Sequence, residues 1–129
     1  MKKILIATLV FFFCLSGCAH TKIGRAKLAD RAKYELVGKT KTEILMCAGA
    51  PVRSEREGDF EFITYFSGGD KSVYVDDEMG YASVKKRYCE VTFVLQNGVV
   101  QKVNYTGRTG GLATKGEQCA FVLQNCVEE

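Results

Sequence analysis

Residues 88–107 read YCEVTFVLQNGVVQKVNYTG, two runs of alternating apolar and polar residues that flank Asn97 and Gly98. An Asn-Gly pair between alternating runs is a strong short-range signal for a β-hairpin, because both residues tolerate the left-handed backbone of a tight turn. Successive side chains of a strand point to opposite faces, so the alternation gives each strand one apolar face. The chain is therefore predicted to contain an antiparallel hairpin here.

The apolar pattern also favours one register of this hairpin. A two-residue turn would place Val91 opposite an asparagine and would mix apolar and polar residues on one face. A three-residue loop over residues 96–98, with a bulge, instead pairs Val91 with Val103 and makes that face nearly all apolar. We therefore predict the bulged loop, with Cys89 opposite Tyr105 and pointing inward.

An aromatic strand is predicted over residues 60–66, in the segment DFEFITYFSGG. Alternation places Phe60, Phe62 and Phe66 on one face and Ile63 and Tyr65 on the other. Both faces are thus apolar. We assign Ile63 and Tyr65 as candidate interaction residues, and the alternative is that they pack in the core.

A long polar connection is predicted after this strand. Gly68 and Gly69 are expected to end the strand. Residues 67–86 then form a loop with a short extended piece at 73–75, and a loop of this length is either functional or mobile.

Two helices are predicted before the strands, the first within RAKLADRAKYELVGK at residues 25–39. Its composition favours a helix, and apolar residues recur at spacings of three and four, which is typical of an amphipathic helix. These residues are Leu28, Ala29, Ala32 and Leu36. Gly38 can end the helix.

The second helix lies in TKTEILMCAGAP, residues 40–51, and has clear start and stop signals. Thr40 is a good N-cap, and Glu43 three residues later completes a capping box. Gly49 is the predicted C-cap residue of the helix, and Pro51 prevents the helix from continuing. The apolar face consists of Ile44, Leu45 and Ala48, with Cys47 beside it.

The start of the chain is similar to a secretory signal peptide. Two lysines precede an apolar run over residues 4–15, which is about 18 Å long as a helix and too short for a hydrocarbon core of about 30 Å. Residues 15–18 read LSGC and resemble the bacterial lipobox, in which the cysteine is acylated and the peptide is cut before it. We expect Cys18 to be the lipid attachment site. The next residue is Ala19 and not Asp, which resembles lipoproteins that are sorted to the outer membrane. Two or more acyl chains would anchor the protein stably.

These signals divide the chain into four predicted parts. They are a lipoprotein signal peptide at 1–17, a lipidated tether at 18–24, a domain at 25–106 and a C-terminal tail at 107–129 closed by a disulfide. The predicted mature chain is long enough for one small domain.

Four cysteines remain if Cys14 leaves with the signal peptide and Cys18 carries lipid, and an oxidising compartment favours disulfides between them. Four cysteines allow three connectivities. Because Cys47 is beside a helix face and Cys89 points inward, we predict that these two pair and that Cys119 pairs with Cys126. No pair has CxxC spacing and the single histidine lies in the tether, so no metal site is predicted.

Charge and motifs disfavour several function classes. The chain has 18 Lys and Arg against 15 Asp and Glu, and the signal peptide accounts for two lysines, so a nucleic-acid binder is not expected. The run VGKT at 37–40 is similar to the end of a phosphate-binding loop, but Lys33 stands where that motif needs glycine, so no nucleotide is predicted. The predicted domain has no histidine to act as a base, and neither an enzyme nor a cofactor is expected.

The pattern Gly38-x-Thr40-x-x-Glu43-Ile44-x-x-x-x-Gly49-x-Pro51, behind a lipobox and before a hairpin, resembles the SmpA/OmlA (BamE-like) domain family. The likeness covers roughly residues 30–106. It implies an α+β fold in which two N-terminal helices pack on one face of a three-stranded antiparallel sheet, in the order ααβββ. It also implies non-catalytic work through protein and envelope contacts.

The sequence departs from that family in several places. Lys39 stands where the family commonly has Met, no Trp leads the first strand, and the 67–86 connection, the four cysteines and the tail are additions. The resemblance therefore implies fold and location, and the contacts with the β-barrel assembly machine are not carried over.

The resulting functional expectation is a lipid-anchored, periplasm-facing outer-membrane lipoprotein that acts as a non-catalytic interaction or scaffold module. Its expected partners are the membrane, through the acyl chains, and envelope proteins, with β-barrel assembly subunits among the candidates. The processes in which such a module would act are outer-membrane protein assembly and the maintenance of envelope integrity. The alternative is a small inhibitor or ligand-binding lipoprotein unrelated to barrel assembly.

Overall fold

A computed structural model describes residues 21–76 and 81–127. The helices are α1 (Lys22–Glu35), α2 (Lys41–Ala48) and a short α3 (Ala120–Leu123), which follows a 3-10 turn at Glu117–Cys119. The strands are β1 (Arg53–Glu57), β2 (Phe60–Asp76), β3 (Tyr81–Gln96) and β4 (Val99–Thr106). They form one antiparallel sheet in the order β1-β2-β3-β4.

The predicted three-stranded ααβββ arrangement is wrong, because the sheet has four strands and a third helix follows them. The missed strand is β1, whose five residues are polar and exposed. Apolar alternation cannot reveal such a strand. It forms because Gly58, at a φ of +57°, lets the chain fold back so that Glu57 pairs with Phe60. A charged strand at a sheet edge also discourages pairing with other chains.

The β2–β3 hairpin is longer than predicted. Residues 67–76 and 81–86 continue β2 and β3, so the expected polar connection is wrong over these residues, and 77–80 lie outside the described chain. The ladder is irregular between Gly68 and Lys71. Gly68 has a φ of +141°, and a Cβ there would lie 2.7 Å from the Tyr88 Cα. The glycine thus permits a bulge where strand termination was predicted.

The β3–β4 hairpin is present, but its predicted three-residue loop is wrong. Gln96 pairs with Val99 across a two-residue turn, in which Asn97 and Gly98 have φ values of +52° and +75°. This is the turn geometry that matches the twist of paired strands. The extra residue is Gln101, further from the turn.

Because the bulge lies at Gln101 and not in the loop, the strand pairing differs from the prediction, but the inner face remains apolar. Val91 lies opposite Tyr105, and Phe93 lies opposite Val103. The prediction of an apolar inner face that includes Cys89 is confirmed, since Cys89 is fully buried.

The core lies between the inner face of the sheet and a layer made of α1, α2 and the tail. The helices contribute Ala29, Ala32, Leu36 and Ile44, the strands contribute Ile63, Tyr65, Val91, Phe93, Leu95 and Val100, and the tail contributes Cys119, Ala120 and Leu123. The small alanines let α1 approach the sheet closely. The Tyr105 hydroxyl donates to the Ala29 carbonyl oxygen, and burial raises its pKa.

The predicted start and end signals of α2 are confirmed. The Glu43 carboxylate accepts from the Thr40 N–H at 2.7 Å, and the Thr40 hydroxyl accepts from the Glu43 N–H at 3.3 Å. Gly49 follows with a φ of +81°. At the start of α1, the Thr21 hydroxyl caps the helix, which therefore begins three residues before the predicted domain boundary at residue 25.

Candidate interaction surface

The four cysteines of the predicted domain and tail form two disulfides, Cys89–Cys119 and Cys47–Cys126. The predicted pairing of Cys47 with Cys89 and of Cys119 with Cys126 is therefore wrong. The tail crosses the inner face of the sheet, so it brings Cys119 to β3 first and Cys126 to the end of α2 afterwards. A chain-entropy treatment gives roughly 4 kcal/mol for closing each of the two loops separately.

The predicted lipid attachment site, Cys18, lies outside the described residues, and its acylation stays a prediction. The described chain begins at position 21, and α1 begins at Lys22. Among residues 21–76 and 81–127, no helix combines the length and apolar character needed to cross a bilayer.

Ile63 and Tyr65, the candidate interaction residues, belong to the core. Ile63 is 0% exposed and Tyr65 is 4% exposed. The Tyr65 ring meets Phe93 edge-on at a centroid distance of 5.7 Å, and its hydroxyl donates to the Gly49 carbonyl oxygen at 2.9 Å. Burial raises the pKa of Tyr65. In this conformation neither side chain can contact a partner.

The opposite face of the sheet carries exposed and half-buried apolar side chains. We call it the aromatic face and define it by Phe60, Phe62, Phe66, Tyr88 and Val94, which alternate with the buried residues of β2 and β3. Phe66 is 50% exposed and stacks on Tyr88 with ring centroids 6.0 Å apart. Phe62 lies opposite Val94 in the strand register.

Thr64 and Thr92 form a polar pair at the centre of the aromatic face. They lie opposite each other, and their hydroxyl oxygens are 3.1 Å apart, within hydrogen-bond distance. Thr64 is only 3% exposed, although it points away from the core. Because one of the two hydroxyls can donate to the other, this pair leaves few hydrogen-bonding groups for a partner to satisfy.

The described helices and the tail lie on the other side of the sheet. Three side chains of the inner face connect the sheet to these elements. Tyr105 donates a hydrogen bond to α1, Tyr65 donates one to the residue after α2, and Cys89 forms a disulfide with the tail. The Ser67 hydroxyl also donates to the carbonyl oxygen of Gln118. Within the described chain, these elements leave the aromatic face uncovered.

The rim of the aromatic face is mildly acidic. Arg53 and Glu55 on β1 pair with each other at 3.5 Å. Glu57 lies at the end of β1, and Glu90 lies opposite Phe66 on β3. Neither of these two carboxylates forms an ion pair with another described residue. On the β4 side, Lys102 lies opposite Val94. The surface thus combines an apolar centre with free carboxylates at Glu57 and Glu90 and one lysine on its β4 side.

A buried carboxylate ties the tail to two other elements. Glu117 is 2% exposed, and its Oε1 lies 3.7 Å from Arg25 Nη2 and 3.8 Å from Arg87 Nη1. The Arg25 guanidinium also lies over the Phe121 ring at 5.1 Å. A buried charge needs such partners. The cluster joins α1, β3 and the tail, and the sequence carried no periodic signal for it.

The sequence did contain a clue to the orientation of β2. Ile63 lies opposite Phe93 and Tyr65 lies opposite Val91, and the face of β3 that carries Phe93 and Val91 was already predicted to be interior. Pairing β2 with β3 in this register would have placed Ile63 and Tyr65 inside and the phenylalanines outside.

Neither metal-ligand geometry nor comparison with known proteins assigns a function to the described residues. Within the described ranges, no three His, Cys, Asp or Glu side chains lie together in a way that could hold a metal ion. Comparisons of the chain with protein-family models, with curated proteins and with solved structures found no match.

Proposed function

We propose that this chain is a non-catalytic protein-interaction module, anchored through acylated Cys18 to the periplasmic side of the outer membrane, which docks an envelope protein on its aromatic face. The observation that carries the proposal is the aromatic face itself. Single exposed apolar residues are ordinary, but a contiguous set on an uncovered sheet face is typical of an interaction site.

The side chains of the aromatic face suit binding for energetic reasons. Aromatic rings bring a large contact area and have only two rotatable side-chain bonds, so little conformational entropy is lost when they are held by a partner. Phe66 and Tyr88 are already stacked on each other. The small side chains of Thr64 and Thr92, between the larger rings, would let a second surface approach both strands.

The charges at the rim favour a protein over a bilayer as the occupant. Glu57 and Glu90 would lie close to anionic headgroups if the aromatic face rested on a membrane, and this contact is unfavourable. We therefore expect a folded partner with an apolar patch that has Lys or Arg where it meets Glu57 and Glu90, because charge complementarity at the rim aids specificity and association.

The anchor and the sequence motifs support an envelope location. The LSGC segment at 15–18 resembles a lipobox, and the capping-box pattern resembles the SmpA/OmlA family. Only three residues separate Cys18 from Lys22, where α1 begins. Such a short tether would hold the domain near the membrane and raise its effective concentration toward membrane proteins. Outer-membrane protein assembly is one process in which this arrangement would be useful.

Site-specific photocrosslinking in cells of the native host tests the proposal. A photoreactive amino acid replaces Phe66 in the lipidated protein, and the matched control carries it at Leu112, an exposed residue of the tail. We expect an adduct from position 66 that is missing from position 112. The adduct partner is then identified by mass spectrometry, purified, and titrated with the unmodified protein.

Two variants decide whether binding uses the aromatic face. Phe66→Asp should abolish binding of the purified partner, and Glu90→Lys should weaken it by about three- to tenfold in low salt, with both proteins remaining folded by circular dichroism. Binding that survives Phe66→Asp, or identical adducts from positions 66 and 112, would refute docking on this face.

A further inference from the structure

β4 is the last strand of the sheet, and most of its outer edge is open. The segment before α2 covers only its beginning: the Val100 N–H donates to the Lys39 carbonyl oxygen at 2.9 Å, and the Val100 carbonyl oxygen accepts from the Gly38 N–H at 2.8 Å. Thr40 forms an isolated bridge with Val99. Because this pairing is antiparallel, only the residues before Gly38 could extend it toward Val103. Those residues belong to the end of α1 and its cap at Leu36, so the pairing does not continue along β4.

The remaining backbone groups can be assigned to the two edges of β4 by alternation. In an antiparallel pair, residues that bond the neighbouring strand alternate with residues whose N–H and C=O point the other way. The Tyr88 N–H donates to the Arg108 carbonyl oxygen at 3.1 Å, so position 108 faces β3. Counting back by two, Thr106 and Asn104 face β3, and Tyr105 and Val103 face the open edge.

The other end of β4 gives the same assignment. Val100 faces away from β3, because its N–H and C=O bond the segment before α2. Gln101 is the extra residue of the bulge, and it shifts the alternation by one position. Val103 therefore faces the open edge again. In the described chain, no hydrogen bond outside the strand ladder takes up the N–H or C=O of Val103 or Tyr105.

These four free groups lie in a groove of about 620 Å³. One wall is formed by Asp30 and Lys33 of α1, and the other by the tail around Thr109 and Lys115. This volume is within the range of about 300–1,000 Å³ that is usual for ligand sites. An edge strand inside a groove differs from one on a convex surface, because the walls can contact the side chains of an added strand.

The groove carries an excess of positive charge. Three lysines from three different elements line it, Lys33, Lys102 and Lys115, against the single carboxylate of Asp30. Lys33 lies 3.9 Å from Asp30 and 4.9 Å above the Tyr105 ring, so it is held in place. Lys102 and Lys115 form no ion pair with any other described residue.

We propose that the open edge of β4 binds an extended acidic peptide from another protein, which adds to the sheet as a fifth strand. Its backbone would exchange hydrogen bonds with Val103 and Tyr105, and its carboxylates would lie on the side of the groove that carries Lys33 and Lys115. A second copy of this chain is a poor occupant, because edge-to-edge pairing would bring two lysine-lined grooves together. Lys102 borders both this site and the aromatic face, because it lies opposite Val94. The strand edge uses none of the residues that define the aromatic face, and the proposal does not depend on the function proposed above.

The test uses the oxidised full-length protein and an acetylated, amidated hexapeptide of alternating glutamate and valine, followed by ¹⁵N-¹H spectra. We expect saturable shifts of the Val103 and Tyr105 amides. A peptide with the same side chains but with every backbone nitrogen methylated should bind at least tenfold more weakly, because it keeps the charge and loses the backbone donors on both of its edges. A peptide with lysine in place of glutamate should not bind.

Matched charge reversals separate the groove from general electrostatics. Lys115→Glu should weaken binding at least tenfold, whereas Lys27→Glu, on the exposed surface of α1 outside the groove, should change it less than twofold. Phe66→Asp should leave peptide binding intact, which distinguishes this site from the aromatic face.

Several outcomes would overturn the proposal. One is equal binding of the methylated peptide, which would mean charge attraction without strand addition. Another is the absence of shifts at Val103 and Tyr105 at millimolar peptide, which would mean that the lysines only protect a free edge. A concentration-dependent dimer that broadens these two amides would identify a second copy as the occupant.

Discussion

Cys89 in the centre of the sheet is bonded to Cys119 in the tail, with Cα atoms 5.1 Å apart and both side chains fully buried. The second bridge, Cys47–Cys126, is half-buried. The tail is thus held at two points, one inside the core and one near the surface. This relationship makes the C-terminal segment part of the domain and not an appendage to it.

The two bridges should differ in their response to a reductant, because reduction requires access to the sulfur atoms. Cys47–Cys126 should open first under mild, native conditions, and Cys89–Cys119 should open only as the protein unfolds. Alkylation followed by peptide mapping at increasing dithiothreitol concentration measures this order. Unreduced mapping should show 47–126 and 89–119 peptides, and a 47–89 peptide would contradict the fold.

Ile63→Ala and Phe66→Ala should have very different effects on stability, although the two residues are three positions apart on one strand. Ile63→Ala removes buried atoms from the core and should lower the free energy of unfolding by about 2–4 kcal/mol. Phe66→Ala removes an exposed side chain and should change it by less than about 1 kcal/mol. Urea titration of both variants measures the difference, and equal losses would mean that the faces of β2 are assigned wrongly.

Glu61 should contribute to the acid sensitivity of the protein. Lys41 Nζ donates to Glu61 Oε1 at 2.7 Å, and this hydrogen bond lowers the pKa of the Glu61 carboxyl below its usual 4.5. A carboxyl with a lowered pKa in the folded state stabilises the protein fully above its unfolded pKa, and the effect is lost as pH falls through the folded value.

The matching variant is Glu61→Gln. It should be less stable than the wild type at pH 7, and the difference should shrink as the pH is lowered below 4.5. Urea unfolding between pH 7 and pH 3 measures both curves. A difference that stays constant over this range would show that the ion pair with Lys41 makes no contribution.

Gly68→Ala should destabilise the domain. The glycine has a φ of +141°, and an added Cβ would meet the backbone of Tyr88 at 2.7 Å. Strain at such a position costs on the order of 1–3 kcal/mol. Gly58→Asn is the control, since Gly58 also has a positive φ but has open space around it, and asparagine tolerates that backbone. Thermal unfolding of both variants should separate them clearly.

Cys18→Ser should release the protein from the membrane if the anchor is correct. The wild type should fractionate with outer membranes and carry an N-terminal cysteine with added acyl mass, because two or more chains give stable anchoring. Fractionation and intact-mass measurement test this. An unacylated wild-type protein that starts elsewhere would remove the lipid anchor from the proposed function.

The sequence by itself determined the features whose stabilising contacts lie within a few residues. The capping box joins Thr40 to Glu43, three positions away. The position of the turn at Asn97 and Gly98 depends on the backbone preferences of those two residues, although its length was predicted wrongly from the apolar pattern. The alternating faces of β2 and β3 were also predictable, because strand geometry sets them wherever the strand lies.

The tertiary structure decided how the cysteines pair, which strand edge stays open in the described chain, and which face of β2 is inside, although the predicted inner face of β3 held a clue to the last of these. These features depend on groups that are distant in sequence. Ile63 is inside because it lies opposite Phe93 on the inner face of β3. Cys89 bonds to Cys119 because the tail crosses the inner face of the sheet. A polar strand such as β1 has no apolar pattern of its own, and it is stabilised by pairing with β2. Local preference can propose each element, but the burial that the elements achieve together selects the arrangement.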